Sequence, residues 1–296
     1  MTSGMHDDEV AIDDATVRRL VDDQLPEWSG HDLRRLPPTG TDNQLFRLGD
    51  DLLLRLPRIG WAAESAEWEH TWLPRLAAHL TMPIPAPIAL GRPGHGYPWH
   101  WTVVPWIEGA TPTTDRIDPE EWAVGLGRFV RELREVPAMG AAVEAEGRGA
   151  PLSTLDEWVH TWTERADPAQ VDPGAVLAVW RDAVEAPAWE GEATWFHGDL
   201  HEGNLLVRDG SLAAVIDWGA AGRGDPAVEL NAMWGYLPPG VAGLYRETVG
   251  LDEAAYRRAR GFALAPAISG WTYYRDTAPH LSALGLATVQ ALVASL

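Results

Sequence analysis

The chain has 296 residues, no cysteine and a formal net charge of −20 at pH 7. The lack of cysteine excludes disulfides and thiolate metal sites, and the acidic balance argues against binding to nucleic acid or an anionic membrane. No apolar run approaches the ~20 residues that cross a bilayer, and residues 1–10 lack the basic and apolar regions of a secretory signal. We therefore expect a soluble cytoplasmic protein, monomeric or homodimeric. Its charge either favours a cationic partner or simply keeps the surface soluble.

The first part of the chain is predicted to form a small lobe rich in strands. It opens with an amphipathic helix that Asp13 or Asp14 caps and that runs to about Gln24. The other predicted elements are strands at 28–36, 44–48, 52–56, 88–91 and 99–106, with a helix at 59–80 that Pro74 kinks or breaks in two.

The rest of the chain is predicted to be mainly helical. Helices are expected at 119–136, 155–165, 173–184, 226–236, 252–274 and from 280 onward, with a strand hairpin at 205–216. Residues 138–149 are low in complexity and are expected to form a mobile loop or a loose helix. The predicted fold class is α+β. A small antiparallel-sheet lobe spans residues 1–107, and a larger, mainly helical lobe spans residues 108–296.

One stretch carries residue types suited to phosphate and divalent-metal chemistry. It reads H-G-D-L-H-E-G-N at 197–204 and, after the predicted hairpin, I-D-W-G at 216–219. Phosphoryl transfer from ATP needs oxygen ligands for Mg²⁺ and a carboxylate beside the attacking hydroxyl. Asp199 is a candidate for that carboxylate and Asn204 for a neutral metal ligand. The hairpin would bring Asp217 back toward Asn204.

The two motifs, in this order and separated by a hairpin, resemble the aminoglycoside phosphotransferase family, which has a two-lobed, protein-kinase-like fold. The five-residue spacing from Asp199 to Asn204 also parallels the H-R-D-x-x-x-x-N segment of protein kinases. The resemblance implies an enzyme that moves the γ-phosphate of ATP, or of GTP, to a hydroxyl of a small molecule. It implies Asp199 as the catalytic aspartate, with Asn204 and Asp217 as Mg²⁺ ligands. Asp225 would be a structural aspartate that contacts no substrate.

A metal-hydrolase site is an alternative interpretation of the same stretch. His197, Asp199 and His201 would then act as alternating metal ligands on a strand. Such a site gives Asn204 and Asp217 no role, and the glycines of the motif favour a loop over a strand. Histidines at these positions more often support a loop through hydrogen bonds.

The resemblance also implies nucleotide contacts in the first lobe. Thr41, Asp42 and Asn43 lie between two predicted strands, where this fold places the loop that covers the phosphates. An ordinary hairpin turn is the alternative for this segment. Further along, adenine would bond to the backbone at the hinge, to the Pro105 carbonyl and to the Ile107 N–H.

The expected phosphate cation is an arginine. The third strand of this fold carries a lysine that contacts the α- and β-phosphates, but the chain contains no lysine, so Arg55 is the natural substitute. An arginine inside an apolar run needs a partner, and the resemblance implies a glutamate of the following helix. Glu69 aligns best with that glutamate, and Glu64 and Glu67 are alternatives.

The acceptor would lie on the helical lobe. The net charge favours a cationic acceptor, so an aminoglycoside or a similar cationic antibiotic is the first expectation. The 16 tryptophans would also allow a macrolide, and other natural products or an amino alcohol stay open. A nucleotide-binding pseudokinase, suggested by Arg55 alone, is the alternative of a different class. The candidate lining residues are Asp156, Glu157, Asp167, Glu229 and Asp276, with Trp158, Trp162, Trp234, Trp271 and Tyr274 nearby in sequence.

Overall fold

A computed structural model describes residues 9–37 and 42–296, apart from the side chain of Trp61. Thr41, expected in the phosphate-covering loop, lies outside these residues. The chain divides into two compact units. The first comprises the residues up to His79 together with Pro83–Glu108, and the second comprises Leu80–Met82 and Gly109–Leu296. Among the described residues, no helix combines the length and apolar content that crossing a bilayer requires.

The first unit is built on an antiparallel sheet. Its strands, within the described residues, are β1 (Leu33–Arg35), β2 (Asn43–Leu48), β3 (Leu52–Pro57), β4 (Ala89–Gly91) and β5 (Trp101–Pro105). Their spatial order is β1-β2-β3-β5-β4. Two helices accompany the sheet, α1 (Asp14–Gln24) and α2 (Gly60–Ala77). This arrangement confirms the expected small antiparallel-sheet lobe.

Helix α1 closes one side of the apolar core of this unit. Asp13 caps the helix, because its carboxylate accepts a hydrogen bond of 2.7 Å from the Thr16 N–H. The apolar residues of the helix are buried in one cluster with side chains of the sheet. That cluster includes Val17, Leu20, Val21, Phe46, Leu48, Leu54, Leu56, Trp101 and Val103.

Two predictions for this unit were wrong in detail. The strand expected at 28–36 is reduced to β1, because Pro26 starts a 3-10 turn that includes Trp28. At Pro74 a kink or a break was expected in the helix at 59–80; the break does not occur, since α2 runs through Pro74. Pro74 leaves the His70 carbonyl without its helical hydrogen bond, and the helix ends three residues later.

The second unit is mainly helical. Its elements in chain order are α3 (Pro119–Glu135), α4 (Asp156–Arg165), α5 (Pro173–Val184), β6 (Thr194–Phe196), β7 (Leu205–Arg208), β8 (Ser211–Val215), β9 (Gly222–Gly224), α6 (Ala242–Val249), α7 (Glu253–Tyr273) and α8 (Pro279–Ala294). Strands β7 and β8 form the expected hairpin, and β6 pairs with β9 in an antiparallel ladder.

Several elements of this unit could not be recognised from a local pattern of apolar and polar residues. Strands β6 and β9 have three residues each, too few for an alternation to show. The helix expected at 226–236 is instead a 3-10 helix, Pro226–Met233, in which nearly every residue is buried. A segment buried all round has no exposed face from which a helical period can be recognised.

A buried ion pair ties this 3-10 helix to α7. The Asp225 carboxylate contacts Arg258 Nε at 2.5 Å and Nη2 at 3.1 Å, and both residues are buried. Asp225 also caps the 3-10 helix by accepting from the Ala227 N–H. Arg258 Nη1 donates to the Pro187 carbonyl at 2.6 Å. These contacts agree with the structural role expected for Asp225.

Candidate active site

The β7–β8 hairpin brings the ends of the two motifs together. Leu205 and Val215 pair across its open end. The Ile216 N–H then donates to the Asn204 carbonyl at 2.8 Å. Asp217 follows at once with a φ of 61°, a left-handed conformation that aspartate tolerates better than most residues. The backbone therefore returns Asp217 to the neighbourhood of Asn204, as the sequence predicts.

The Asp199 carboxylate is held between polar groups while part of it stays exposed. The Asn204 Nδ2 donates to the Asp199 carbonyl at 2.9 Å and to its Oδ2 at 3.2 Å. His201 Nε2 lies 3.6 Å from the same Oδ2. Arg148 Nη1 lies 3.1 Å from Oδ1, and 31% of the Asp199 side chain is exposed. The carboxylate is thus oriented from both oxygens and is still accessible to a ligand.

Charge keeps this carboxylate ionised. Burial raises the pKa of Asp199, but the groups that face it, above all the charged and hydrogen-bonding Arg148, outweigh burial and leave the pKa below its usual value. An ionised carboxylate accepts hydrogen bonds and donates none. Asp199 is therefore suited to accept a hydrogen bond from the hydroxyl group of an acceptor molecule.

The two histidines support the loop. His197 is fully buried, and burial lowers its pKa to about 4, so its ring is neutral. Its Nδ1 accepts from the Asp199 N–H at 3.2 Å, which leaves Nε2 to donate to the Ile216 carbonyl at 3.1 Å. His201 Nδ1 accepts from the Gly203 N–H at 3.0 Å.

These contacts argue against the metal-hydrolase interpretation, since both ring nitrogens of the buried histidine are already engaged. Within residues 9–37 and 42–296, no group of three or more histidine, aspartate or glutamate side chains is arranged to hold a metal ion.

The backbone of His197 and Gly198, just before Asp199, is held at its N–H groups and at the Gly198 carbonyl. Glu229 is fully buried and accepts from the His197 N–H at 2.5 Å and from the Gly198 N–H at 3.2 Å. The Gly198 carbonyl accepts from Arg148 Nη1 at 2.5 Å and from Asn231 Nδ2 at 3.3 Å. The start of the segment 197–204 is therefore fixed by side chains from two distant parts of the chain.

Gly198 is required by this geometry. Its φ is 80°, and a Cβ on it would lie 2.9 Å from the Ala220 carbonyl oxygen. The sequence analysis named Glu229 as a candidate lining residue of the acceptor site. That prediction is wrong, because the Glu229 side chain is fully buried beneath the segment 197–204. Its apolar neighbours Val228 and Leu230 were the one local signal of this burial.

Sequence reasoning missed Arg148. It lies in the segment 138–149, whose composition suggested a mobile loop or a loose helix. The segment forms a loop and not a helix, and its end is fastened where the Asp225 N–H donates to the Gly149 carbonyl at 2.8 Å. The fit is close, because a Cβ on Gly224 would lie 2.2 Å from that same carbonyl oxygen. Tertiary contacts, which composition does not reveal, place Arg148 beside Asp199.

The first unit contains the expected arginine–glutamate pair. Arg55 Nη1 lies 2.6 Å from Glu69 Oε2, and both residues are buried. In the sheet, Arg55 sits opposite Leu45 on β2 and Thr102 on β5. Glu67, an alternative partner, contacts His100 instead. Burial of a charge on a strand is tolerated here because an opposite charge meets it.

The other residues expected to contact the nucleotide lie at or next to the ends of strands β2 and β5. Asn43 is the first residue of β2, and the Asp42 carbonyl just before it accepts from the Arg58 N–H at 2.7 Å. Pro105 ends β5 and is exposed, and Ile107 is half-buried. These positions agree with the elements that the sequence predicted, and their contact with a nucleotide stays a prediction.

Asn204 and Asp217 suit a magnesium ion. Mg²⁺ is usually held by one or two protein oxygens, with water and substrate phosphates completing its shell. The Asn204 amide turns its Nδ2 toward Asp199, so its Oδ1 is the end left for a cation. The side-chain oxygens of Asn204 and Asp217, which the short hairpin joins, fit this requirement. A magnesium ion bound with a nucleotide does not need three protein carboxylates.

The chain was compared with known proteins. The model of the APH family, described as a phosphotransferase enzyme family, matches residues 33–262. The chain belongs to this family. Thiamine kinase from Shigella boydii serotype 4 (strain Sb227) is 26% identical over 148 residues, and thiamine kinase from Escherichia coli K12 (strain DH10B) has the same identity over the same length. The match covers 50% of this chain and 48% of each thiamine kinase, so it spans about half their length.

Solved structures of phosphotransferases share the fold. The GDP complex of wild-type aminoglycoside 2'-phosphotransferase-IIIa superposes with a TM-score of 0.72 at 18% identity, covering 96% of this chain and 99% of that one. Macrolide 2'-phosphotransferase MphH from Brachybacterium faecium gives a TM-score of 0.63 at 22% identity, covering 93% and 97%. The APH fold, two-lobed and protein-kinase-like, is therefore the fold of this chain.

The buried Glu229 predicts a pH dependence of stability. Burial raises its pKa from 4.5 to about 7. Between these values the carboxyl is protonated in the folded state and ionised in the unfolded state, so its contribution to the free energy of unfolding falls as pH rises through the window and is constant above it. We expect the wild type to lose about 3 kcal/mol relative to Glu229→Gln across this window.

Denaturant unfolding of both proteins from about pH 5 to about pH 8 measures this difference. Glu253→Gln is the control, since Glu253 forms an exposed pair with Arg246 and should follow the wild type. Parallel curves for wild type and Glu229→Gln would show that the Glu229 carboxyl does not titrate in this way.

Proposed function

We propose that the protein is a kinase that transfers the γ-phosphate of ATP or GTP to a hydroxyl of a small molecule. The observation that carries this proposal is the Asp199 carboxylate, which is kept ionised, oriented by Asn204 and 31% exposed. Membership of the APH family supports the reaction class. Solved structures with the same fold carry GDP, ADP or ATP, which supports a nucleotide as the phosphate donor.

In the proposed reaction Asp199 accepts a hydrogen bond from the acceptor hydroxyl and aims its oxygen at the γ-phosphorus. As the new oxygen–phosphorus bond forms, the bond to the β-phosphate oxygen breaks and the hydroxyl proton passes to Asp199. Asn204 and Asp217 would hold Mg²⁺, which when bound offsets the negative charge of the phosphates. The family pattern and the spacing of these residues support the assignment.

The nucleotide contacts are proposed for residues of the first lobe, 1–107. Arg55 would take the place of a phosphate-binding lysine, with Glu69 fixing its position, as their buried contact suggests. Thr41, Asp42 and Asn43 would cover the phosphates. The Pro105 carbonyl and the Ile107 N–H would bond to the base. The second lobe, 108–296, would supply the catalytic loop and the acceptor site.

An aminoglycoside, or an antibiotic of similar charge, is the first proposed acceptor. The net charge of −20 attracts cations over long range, and one structure with the same fold is a complex with kanamycin. If this acceptor is correct, the enzyme would confer antibiotic resistance. A macrolide is supported by the likeness to macrolide 2'-phosphotransferase. The identity to thiamine kinases favours a smaller cationic alcohol.

A screen of nucleotide consumption tests the proposal. ATP and GTP are each offered with kanamycin, a macrolide or thiamine, with and without Mg²⁺. We expect consumption that depends both on Mg²⁺ and on one of the acceptors. Binding of nucleotide without consumption for any acceptor would indicate a pseudokinase and would contradict the proposed reaction.

Asp199→Asn tests the role of the carboxylate. The substitution keeps the shape of the side chain and removes its charge, so kcat should fall by about 10²–10⁴-fold while the nucleotide dissociation constant is unchanged. Steady-state kinetics and nucleotide titration measure the two quantities. Asp209→Asn is the matched control, because Asp209 sits in the turn of the β7–β8 hairpin and is 94% exposed. Full activity of Asp199→Asn would refute the assignment.

A further inference from the structure

Arg148 contacts both the proposed catalytic carboxylate of Asp199 and the carbonyl of the residue before it. Its Nη1 lies 3.1 Å from Asp199 Oδ1 and donates to the Gly198 carbonyl at 2.5 Å. The side chain is 37% exposed, so it lies at the open edge of the catalytic segment. One guanidinium nitrogen therefore ties the Asp199 side chain to the peptide that precedes it.

The two oxygens of the Asp199 carboxylate have different partners. Oδ2 faces Asn204 Nδ2 at 3.2 Å and His201 Nε2 at 3.6 Å. Oδ1 is met by Arg148, and in the part of the chain that the structure describes it has no other hydrogen bond or ion pair. Removal of Arg148 would leave the carboxylate held from one side only. Rotation about the Cβ–Cγ bond would then be opposed by fewer contacts.

The position of Arg148 is itself fixed. The next residue, Gly149, is bonded through its carbonyl to the Asp225 N–H at 2.8 Å and packs closely on Gly224. Asp225 is anchored in turn by its buried pair with Arg258. The loop that carries Arg148 is thus attached to the interior of the second unit. A side chain mounted on such a loop can hold a partner in one orientation.

We infer that Arg148 is a positioning residue, which holds the Asp199 carboxylate in the orientation that receives the acceptor hydroxyl. This inference rests on the proposed function of Asp199. Hydrogen bonds between charged groups are stronger and more directional than neutral ones. Small displacements of a reacting group cost large factors in rate. The effect of Arg148 should therefore fall on the chemical step.

Arg148→Gln removes the charge and should lower kcat by about 10–100-fold, with the nucleotide dissociation constant unchanged. Arg148→Lys, which keeps the charge but not the planar guanidinium, should recover part of the loss. Added guanidinium ion should partly restore activity to Arg148→Ala. A merely structural role would give neither rescue. Unchanged kcat in Arg148→Gln would overturn the inference.

Arg257→Gln is the matched control for this series. Arg257 pairs with the Asp182 carboxylate and donates to the Asp182 carbonyl, and the two side chains are 30% and 27% exposed. Like Arg148, Arg257 thus contacts one carboxylate and one backbone carbonyl at similar exposure, but its partner lies outside the 197–204 motif and is also paired with Arg260. We expect its kcat to match that of the wild type. An equal fall of kcat in both arginine variants would overturn the inference.

Crystal structures of the wild type and Arg148→Gln provide a test that needs no turnover. If the wild type consumes no nucleotide with any acceptor, the proposed function fails, and the structures still decide whether Arg148 orients Asp199. A carboxylate that rotates away from its wild-type position in the variant supports the inference. An unmoved carboxylate overturns it.

Discussion

The segment 197–204, which carries Asp199, depends on one buried carboxylate, that of Glu229. It accepts hydrogen bonds from the N–H groups of His197 and Gly198, and its side chain is not exposed to solvent. Burial of a charge is costly, and hydrogen bonds offset only part of the cost. The pKa of about 7 reflects that balance, because burial raises it more than the two donors lower it. By fixing these two N–H groups, Glu229 fixes the position of the backbone that leads into Asp199.

Strand pairing and two side chains fix the rest of the site around the backbone that Glu229 holds. The β6–β9 ladder leads into the segment, and the β7–β8 hairpin leads back from Asn204 to Asp217. The Asn204 amide and the Arg148 guanidinium then hold the Asp199 carboxylate from its two oxygens. Each group in this network has a polar partner, which is the condition under which buried polar groups rigidify a site. A fixed carboxylate with an open side is what transfer to a hydroxyl requires.

Much of this site could be predicted because its signals are local. The spacing of Asp199 and Asn204, the Asp209–Gly210 turn and the charge of Arg55 within an apolar strand are all readable within a few residues. Arg148 and Glu229 could not be predicted in their roles. Each contacts the segment 197–204 from a distant part of the chain, and neither belongs to a periodic pattern. The loop at 138–149 is low in complexity, and hydrogen bonds to residues distant in sequence, which composition does not reveal, hold it against Arg223 and Asp225.

The chemical identity of the product is the most direct test of a phosphotransferase. The acceptor that supports nucleotide consumption would be isolated after reaction with γ-labelled ATP and Mg²⁺, and the position of the phosphate would be determined by ³¹P NMR and mass spectrometry. We expect one phosphate ester on a hydroxyl oxygen of the acceptor for each nucleotide consumed. Release of inorganic phosphate in equal amount, with no ester formed, would contradict transfer to a small-molecule hydroxyl and would indicate nucleotide hydrolysis.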